Sequence, residues 1–186
     1  MSAQAVSLFR MPVLYVVACG GRPAADLPDF VASAQDEGWL VCVVATPDGL
    51  KFLDADALEK QTGYPVRSQY KQPDEPDVLP PADAFVVAPA TFNTVNKLAA
   101  GISDTLALGL LNEGIGLGRP VIVVPTPNVG LSRHPAFVAS VRTLREWGVT
   151  VLFDPASVPP LDSDTTTPPP PFPWDAATAA LRGLPR

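Results

Sequence analysis

The sequence predicts an α/β fold of three layers, in which a parallel sheet carries helices on both faces. Short apolar runs of strand length alternate with segments of helical spacing in the order β-α-β-α-β-α-β-α-β, and this alternation is typical of parallel sheets. The runs are continuously apolar, as expected for strands covered on both faces. The chain has 186 residues, of which 47% are hydrophobic, enough for one domain with a sizeable core.

The first part of the chain predicts two strands with a helix between them. The run Val13–Ala18 (VLYVVA) predicts the first strand, and a glycine turn at 19–23 follows it. Residues 24–38 have helical spacing, which brings four apolar side chains to one face: Leu27, Phe30, Val31 and Ala34. Gly38 is a typical C-terminal stop, and residues 39–45 (WLVCVVA) predict the second strand.

The middle of the chain contains a polar interruption before the third strand. The predictions here are a short helix at 48–52, a helix at 54–62, a loop at 63–81 with a short strand at 66–69, a strand at 83–88 and a helix at 94–111. The loop is predicted because polar residues and repeated prolines interrupt both helices and strands.

The last part of the chain completes the sheet and then changes composition. A strand at 121–124, a helix at 136–147 and a strand at 149–153 are predicted, and Gly148 ends the helix. Residues 154–174 are rich in proline and predict an extended segment, which is followed by a short helix at 174–181. We therefore predict an α/β domain over residues 1–155 and a proline-rich C-terminal segment over residues 156–186.

Charge and composition exclude several kinds of partner. The formal net charge is −6, which argues against nucleic acid or an anionic membrane. No apolar run approaches the ~20 residues of a membrane span, and the first ten residues lack a signal-peptide pattern. Cys19 and Cys42 are predicted to be buried thiols in a reducing compartment, so we expect a cytoplasmic protein. The two cysteines and one histidine give no metal-ligand cluster.

A candidate site follows the third predicted strand. Small residues, two threonine hydroxyls and one carboxamide come between that strand and the next helix, with Thr91, Asn93 and Thr94 as the polar members. In open α/β sheets, ligands bind at the carboxyl ends of the strands, where the helices begin. Hydroxyl and amide groups can donate to phosphate or carbonyl oxygens, so this segment predicts an anion or cofactor site.

The same segment resembles a known family. Pro89–Thr94 (PATFNT) is similar to the Pro-Ala-Ser-Ala-Asn-Thr motif of the homo-oligomeric flavin-containing cysteine decarboxylases, and Asn96–Asp104 is similar to the run that follows it there. Residues 18–21 resemble the family's Gly-Ser turn, and Thr46–Phe52 its Thr-x-x-Ala-x-x-Phe segment. Residues 125–135 line up with its substrate clamp, Pro-x-Met-Asn-x-x-Met-Trp-x-x-Pro.

The resemblance implies a three-layer Rossmann-like (flavodoxin-like) fold that binds flavin mononucleotide (FMN) at the carboxyl edge of the sheet, near a subunit interface of a homotrimer or homododecamer. By position, the flavin contacts implied are Gly20, Gly21, Thr46, Phe52, Pro89, Ala90, Thr91, Thr94 and Asp104. Asn93 and Asn128 are implied to face the substrate. Arg133 is a further candidate for binding its carboxylate or phosphate, and the alternative, which is the commoner case for arginine, is a solvated surface residue.

The chain departs from the family pattern at the positions that carry its chemistry. The family's decarboxylases have an active-site histidine where this chain has Glu75, fourteen residues before Pro89, and His134 is the only histidine here. Glu75 is either a replacement base or a solvated loop residue, and His134 either a replacement acid or base or a simple substrate contact. Residues 154–186 lack the reducing cysteine of the coenzyme A-pathway enzymes, and the clamp has lost its methionines and tryptophan.

These departures argue against ordinary phosphopantothenoylcysteine decarboxylation and favour an oxidative reaction. The first hypothesis is an FMN-dependent oxidative decarboxylase of a small-molecule or peptidyl substrate with a cysteine-like thiol carboxylate. The second is a non-catalytic flavin-binding or regulatory protein that has lost the histidine. The third is an enzyme like the flavin prenyltransferases, which are relatives on the same fold. The third lacks support from a basic cluster that could bind a prenyl phosphate.

Overall fold

The computed structural model describes residues 10–155 and 171–184, and within them it contains a five-stranded parallel sheet. The strand order is β2-β1-β3-β4-β5. The strands are β1 (Val13–Ala18), β2 (Leu40–Ala45), β3 (Ala84–Ala90), β4 (Val121–Pro125) and β5 (Thr150–Val151). In the register of the central strands, Val16 of β1 lies beside Val43 and Val86. The predicted α/β fold class is therefore confirmed.

Helices cover both faces of this sheet. The described residues form α1 (Leu27–Asp36), α2 (Ala55–Thr62), α3 (Phe92–Ala99), α4 (Leu106–Gly116), α5 (Val129–Ser132), α6 (Pro135–Glu146) and α7 (Trp174–Arg182), with short 3-10 helices at Arg22–Asp26 and Gly49–Phe52. One core contains residues of α3, α4 and α6, and the other contains residues of α1, α2 and α7. The sheet is thus the middle layer of three.

The apolar runs of the sequence explain why the strands are buried on both sides. Along β1, Tyr15 and Val17 face the core of α3, α4 and α6, whereas Leu14 and Val16 face the opposite core. All residues of β1, β3 and β4 are buried. Each fully buried valine or leucine side chain contributes about 1.5–3 kcal/mol, so these strands are a large part of the stability of the fold.

The predicted helix at 94–111 is wrong as one element, because the chain forms α3 and α4 with a link at 100–105 between them. Gly101 has a φ of +69°, a left-handed conformation that glycine adopts without steric cost. Thr105 then caps α4, since its side-chain oxygen accepts a hydrogen bond from the Leu108 N–H at 3.3 Å. The glycine and the following cap end one helix and begin another.

The loop predicted at 63–81 runs across the face that α4 covers. In place of the predicted strand at 66–69 there is a single bridge, in which Arg67 pairs with Val44 of β2. The Tyr70 hydroxyl donates to the Thr105 carbonyl at 3.1 Å. The Tyr15 hydroxyl donates to the Pro80 carbonyl at 2.9 Å. These contacts fix the loop at Arg67, Tyr70 and Pro80.

The C-terminal helix packs on the same core as α1. Trp174 of α7 packs against Phe30 in a tilted arrangement, with a ring-centroid distance of 5.4 Å, and Arg182 pairs with Glu37. Most of the extended segment predicted at 154–174 lies outside the described residues, and the domain boundary at residue 155 stays a prediction. Over residues 10–155 and 171–184, no helix combines the length and apolar character needed to cross a membrane.

Candidate functional site

Four turns leave the carboxyl edge of the sheet and lie side by side there. Backbone hydrogen bonds join the turn after β1 to its neighbours, from the Cys19 N–H to the Pro89 carbonyl at 3.1 Å and from the Thr46 N–H to the Ala18 carbonyl at 2.9 Å. The Thr126 N–H donates to the Ala90 carbonyl at 2.9 Å. The sequence segments predicted to hold a ligand at 19–21, 46–52, 89–94 and 125–128 are therefore brought to one edge.

The glycine turn at the end of β1 is the centre of this edge. A Cβ placed on Gly21 would lie 3.5 Å from Pro89 and 3.6 Å from Thr126, and one on Gly20 would lie 3.3 Å from the Asp48 Cβ. Within the described part of the chain, no group accepts a hydrogen bond from the backbone N–H of Gly20 or Gly21. Two unsatisfied N–H groups in a turn without side chains are suitable donors to an anion.

The turn after β2 approaches β1 so closely that it requires glycine. A Cβ on Gly49 would lie 2.2 Å from the Ala18 carbonyl oxygen, which is far inside van der Waals contact. The Gly49 N–H donates to the Thr46 hydroxyl oxygen at 3.0 Å. This bond fixes the Thr46 side chain next to the end of β1 and leaves its hydroxyl proton to point elsewhere.

Two threonine hydroxyls meet at the start of α3. Thr91 caps the helix, as its Oγ1 accepts a hydrogen bond from the Thr94 N–H at 3.3 Å, and the two hydroxyl oxygens are 3.1 Å apart. Thr94 is buried, whereas Thr91 is half-buried. Cys19 lies fully buried beneath them, and burial raises the pKa of its thiol. Cys19 is therefore a neutral group of the core, as its position in the sequence predicts, and so is Cys42.

An exposed ion pair borders the glycine turn. The Lys51 Nζ lies 2.6 Å from a carboxylate oxygen of Asp48. The hydrogen bond and the positive charge of Lys51 hold the pKa of Asp48 below its usual value. Asp48 is thus ionised at neutral pH, and Lys51 balances its negative charge beside the N–H groups of Gly20 and Gly21.

The two carboxamide side chains predicted to face the substrate differ in their hydrogen bonding. Asn93 is the second residue of α3 and is exposed. Asn128 caps α5, because its Oδ1 accepts a hydrogen bond from the Leu131 N–H at 2.9 Å. Among the described residues its amide nitrogen has no hydrogen-bond partner, so this group is left to bind a ligand. Both residues follow strands that end at this edge of the sheet.

The single histidine lies against the first residue of α3. His134 caps α6, since its Nδ1 accepts a hydrogen bond from the Ala136 N–H at 3.1 Å. Its ring meets that of Phe92 edge-on, with centroids 5.5 Å apart and an interplanar angle of 82°. Phe92 is not among the residues that the sequence predicts for the site. The sequence feature that could have indicated a role is its bulky aromatic side chain, at the position where the motif of the resembling family has alanine.

Four further predicted site residues are exposed. The Glu75 carboxylate accepts a hydrogen bond from the Gln72 N–H within its own turn at 3.0 Å. Asp104 lies on the link between α3 and α4 and pairs with Lys97 at 2.5 Å. Phe52 is 43% exposed at the end of its 3-10 helix, and Arg133 is an exposed residue that follows α5.

The residues at this edge fit a flavin mononucleotide. The open glycine turn can accept its phosphate, and the threonine hydroxyls and carboxamides match the hydrogen-bonding edge of the isoalloxazine ring. The buried Pro89 and Ala90 add small apolar surface between these turns. In the part of the chain that the structure describes, no group of three or more histidine, cysteine, aspartate or glutamate side chains is placed to hold a metal ion.

The chain is similar to known proteins over most of its length. The bifunctional coenzyme A biosynthesis protein CoaBC of Mycobacterium tuberculosis is 33% identical over 153 residues, which cover 80% of this chain and 36% of that protein. The chain thus spans about a third of the length of the curated relatives that it matches.

Two solved structures show the same fold. The FMN-dependent cysteine decarboxylase TvaF from thioviridamide biosynthesis superposes with a TM-score of 0.64 at 25% identity and covers 80% of this chain and 94% of its own. The FMN binding protein AtHal3 superposes with a TM-score of 0.68 at 21% identity and covers 93% of this chain and 96% of its own. A family model described as Flavoprotein matches residues 10–169. The chain therefore belongs to the Flavoprotein family.

Proposed function

We propose that this protein binds FMN and catalyses the oxidative decarboxylation of a cysteine-like thiol carboxylate, either a small molecule or a peptide. The observation that carries the proposal is the open glycine turn beside the hydroxyl pair at the start of α3, in a chain of the Flavoprotein family. The likeness to an FMN-dependent cysteine decarboxylase supports the substrate class.

The FMN contacts are proposed from the turns at the carboxyl edge of the sheet. The N–H groups of Gly20 and Gly21 donate to the phosphate, and three hydroxyl side chains bind polar atoms of the cofactor. Two buried residues of β3 supply the surface beneath the ring, and two exposed residues complete the proposed set. The hydroxyl side chains are those of Thr46, Thr91 and Thr94. The buried residues of β3 are Pro89 and Ala90, and the exposed residues are Phe52 and Asp104.

The substrate contacts divide into carboxylate binding and proton transfer. The amide N–H groups of Asn93 and Asn128 donate to the carboxylate, and Arg133 supplies positive charge beside them. When bound, FMN would supply the two-electron oxidation that converts the carbon–thiol group into a thioaldehyde. The electron pair of the breaking bond to the carboxylate then forms a carbon–carbon double bond and the thiocarbonyl π pair moves to sulfur, so carbon dioxide leaves and an enethiolate remains, which takes up a proton to give the enethiol. Glu75 and His134 are the candidates for accepting the thiol proton.

The proposal extends to the assembly and its location. We propose a homotrimer or homododecamer with the flavin near a subunit interface, and we place the protein in the cytoplasm, where both buried thiols stay reduced.

The absorption spectrum of the purified protein tests the cofactor directly. We expect a yellow protein whose heat-released cofactor has the mass of FMN at one per chain. A colourless protein that takes up no added FMN would contradict the proposal. For the reaction, thiol carboxylates are screened by carbon dioxide release and by the mass of the product, which has lost carbon dioxide and two hydrogen atoms.

The variant Asn93→Asp tests the carboxylate contact. A negative charge in the first turn favours the helix, but it repels a bound carboxylate, so we expect a normally folded protein with at least about tenfold lower kcat/KM. Ala176→Asp is the matched control, because it adds the same charge to the exposed first turn of α7. Equal activities of the two variants would remove Asn93 from the site.

A second candidate function is a non-catalytic flavin-binding protein. It is favoured by the position of Glu75, which replaces the family histidine and uses its carboxylate within its own exposed turn. This function predicts stoichiometric FMN and no carbon dioxide release from any thiol carboxylate. The variant Glu75→Gln separates the two, because removal of a general base costs ~10²–10⁴-fold in rate and leaves flavin binding unchanged.

A further inference from the structure

We propose that His134 is held as the Nε2–H tautomer by the helix that it caps and that it donates a hydrogen bond to the substrate carboxylate, with Phe92 as the residue that positions its ring. The inference rests on the proposed function and decides the role of the only histidine in the chain. It assigns His134 to substrate binding, not to proton transfer.

The tautomer follows from the cap of α6. The Ala136 N–H donates to the His134 Nδ1 at 3.1 Å, so this nitrogen carries a lone pair and no hydrogen. In a neutral imidazole one nitrogen is an acceptor and the other a donor, which places the hydrogen on Nε2. Among the described residues, no group is hydrogen-bonded to that Nε2. His134 is exposed, so its N–H is available to a ligand.

The position of the ring is set by a row of aromatic side chains. Phe92 contacts the His134 ring edge-on and stacks on Phe137, with centroids 6.0 Å apart. Phe137 is fully buried, and Phe153 packs edge-on against it at 5.1 Å. The imidazole therefore rests on a ring anchored in the core. Phe92 is the residue directly before Asn93, and this places the donor beside the start of α3.

This geometry favours a donor over a base. To accept the thiol proton, the imidazole would need a free lone pair, but Nδ1 is occupied by the cap and Nε2 already carries its hydrogen. A carboxylate accepts such a hydrogen bond, whereas a neutral amide in its place lacks the charge that strengthens it. The His134 N–H and the Asn93 carboxamide then bind the substrate carboxylate together. Of the two residues proposed to accept the thiol proton, Glu75 remains the candidate.

Because the chain has one histidine, its imidazole signals in a proton–nitrogen correlation spectrum need no assignment. We expect the Nε2–H pattern in the FMN-loaded protein. Titration with N-acetylcysteine should shift the Nε2 and its proton, and N-acetylcysteine amide, which lacks only the carboxylate, should not. An Nδ1–H pattern, equal shifts with both ligands, or no shift with either would overturn the proposal.

Kinetics of His134→Asn provide a second test in a folded protein. Asparagine is a favourable helix cap, so α6 keeps its N-terminus while the imidazole donor is lost. We expect KM for the thiol carboxylate to rise about tenfold, with kcat and its pH profile unchanged. A fall in kcat of about a hundredfold at unchanged KM would show a base and contradict the donor role.

The positioning role of Phe92 is tested with Phe92→Leu. This variant should raise KM and weaken the carboxylate-dependent shift of the His134 signal, because leucine fills the space without the ring contact. Phe153→Leu is the control, since Phe153 belongs to the same aromatic row but packs on Phe137. Equal effects of the two variants would overturn the positioning role. If the protein binds FMN but releases no carbon dioxide, only the proposed catalytic function is contradicted. The donor role of His134 is still decided by comparing the shifts that N-acetylcysteine and its amide cause.

Discussion

Gly49 is the residue at which backbone packing and the candidate site are most tightly linked. Its Cα faces the Ala18 carbonyl oxygen so closely that a methyl group would lie 2.2 Å from it. We expect Gly49→Ala to lower the free energy of unfolding by about 1–3 kcal/mol. It should also weaken FMN binding, because the turn that must move carries Thr46. Urea unfolding and flavin titration measure the two effects.

The control for this substitution is Gly116→Ala, at the last residue of α4. No atom lies within 4 Å of a Cβ placed there, so the change should stabilise the protein by roughly 0.4–1 kcal/mol through the unfolded state. It should leave FMN binding unchanged. If both variants were equally stable, the contact between the β2 turn and β1 would be looser than the structure indicates.

At the same scale, the local geometry of a turn could be predicted from the sequence. The surroundings of residues whose contacts are distant in sequence could not. The glycines at 20–21 and the hydroxyl of Thr91 act through the backbone beside them, so a short motif identifies them. The surroundings of Glu75 depend on the path of the 63–81 loop, which Tyr70 and Tyr15 fix through contacts far away in sequence. Phe92 acquires a role only when α6 brings His134 to its ring.

At the scale of elements, α3 and α4 provide a matched pair of helix caps. Thr91 and Thr105 each accept a hydrogen bond from an N–H three residues later, both at 3.3 Å. Replacing either threonine by alanine should cost about 1 kcal/mol of stability. Only Thr91 lies at the proposed cofactor site, so we expect Thr91→Ala alone to weaken FMN binding, as measured by titration of the apoprotein.

This pair separates a structural role from a ligand contact. Thr105→Ala reports the effect of losing a cap in the same fold, and any further loss in Thr91→Ala belongs to the cofactor. If both variants lost FMN affinity equally, helix stability rather than the Thr91 hydroxyl would control binding. If neither did, Thr91 would not be a flavin contact.

The same two helices show where prediction of elements from sequence reaches its limit. The strands could be predicted because continuous apolar runs bounded by turns have few alternatives. The helical spacing of 94–111 continues through 100–105, so periodicity alone predicted one helix. The signals of the break were Gly101, with its positive φ, and the cap residue Thr105. Each is a common residue type whose effect depends on the backbone conformation around it.

At the scale of the whole molecule, two apolar side chains near the link between α3 and α4 are exposed. Tyr70 is 56% exposed and Ile102 is 42% exposed. The Tyr70 hydroxyl is within hydrogen-bond distance of the Thr105 carbonyl at 3.1 Å and the Ser103 carbonyl at 3.5 Å. Tyr70 therefore contacts the link at 100–105, which also contains Ile102. Large contiguous apolar patches mark interaction surfaces, and we propose that these two side chains belong to the interface of the proposed homotrimer.

We therefore expect Ile102→Lys to dissociate the assembly, because the interface would bury an uncompensated charge. Light scattering of the wild-type protein should give the mass of three chains or a multiple of three, and the variant should give the mass of one. Leu117→Lys is the control, since Leu117 is 67% exposed at the opposite end of α4 and should leave the mass unchanged. A monomeric wild type would contradict the trimer, and an assembled Ile102→Lys variant would place its interface on another face. Because the flavin is proposed to lie near the interface, the dissociated variant should also bind FMN more weakly than the control.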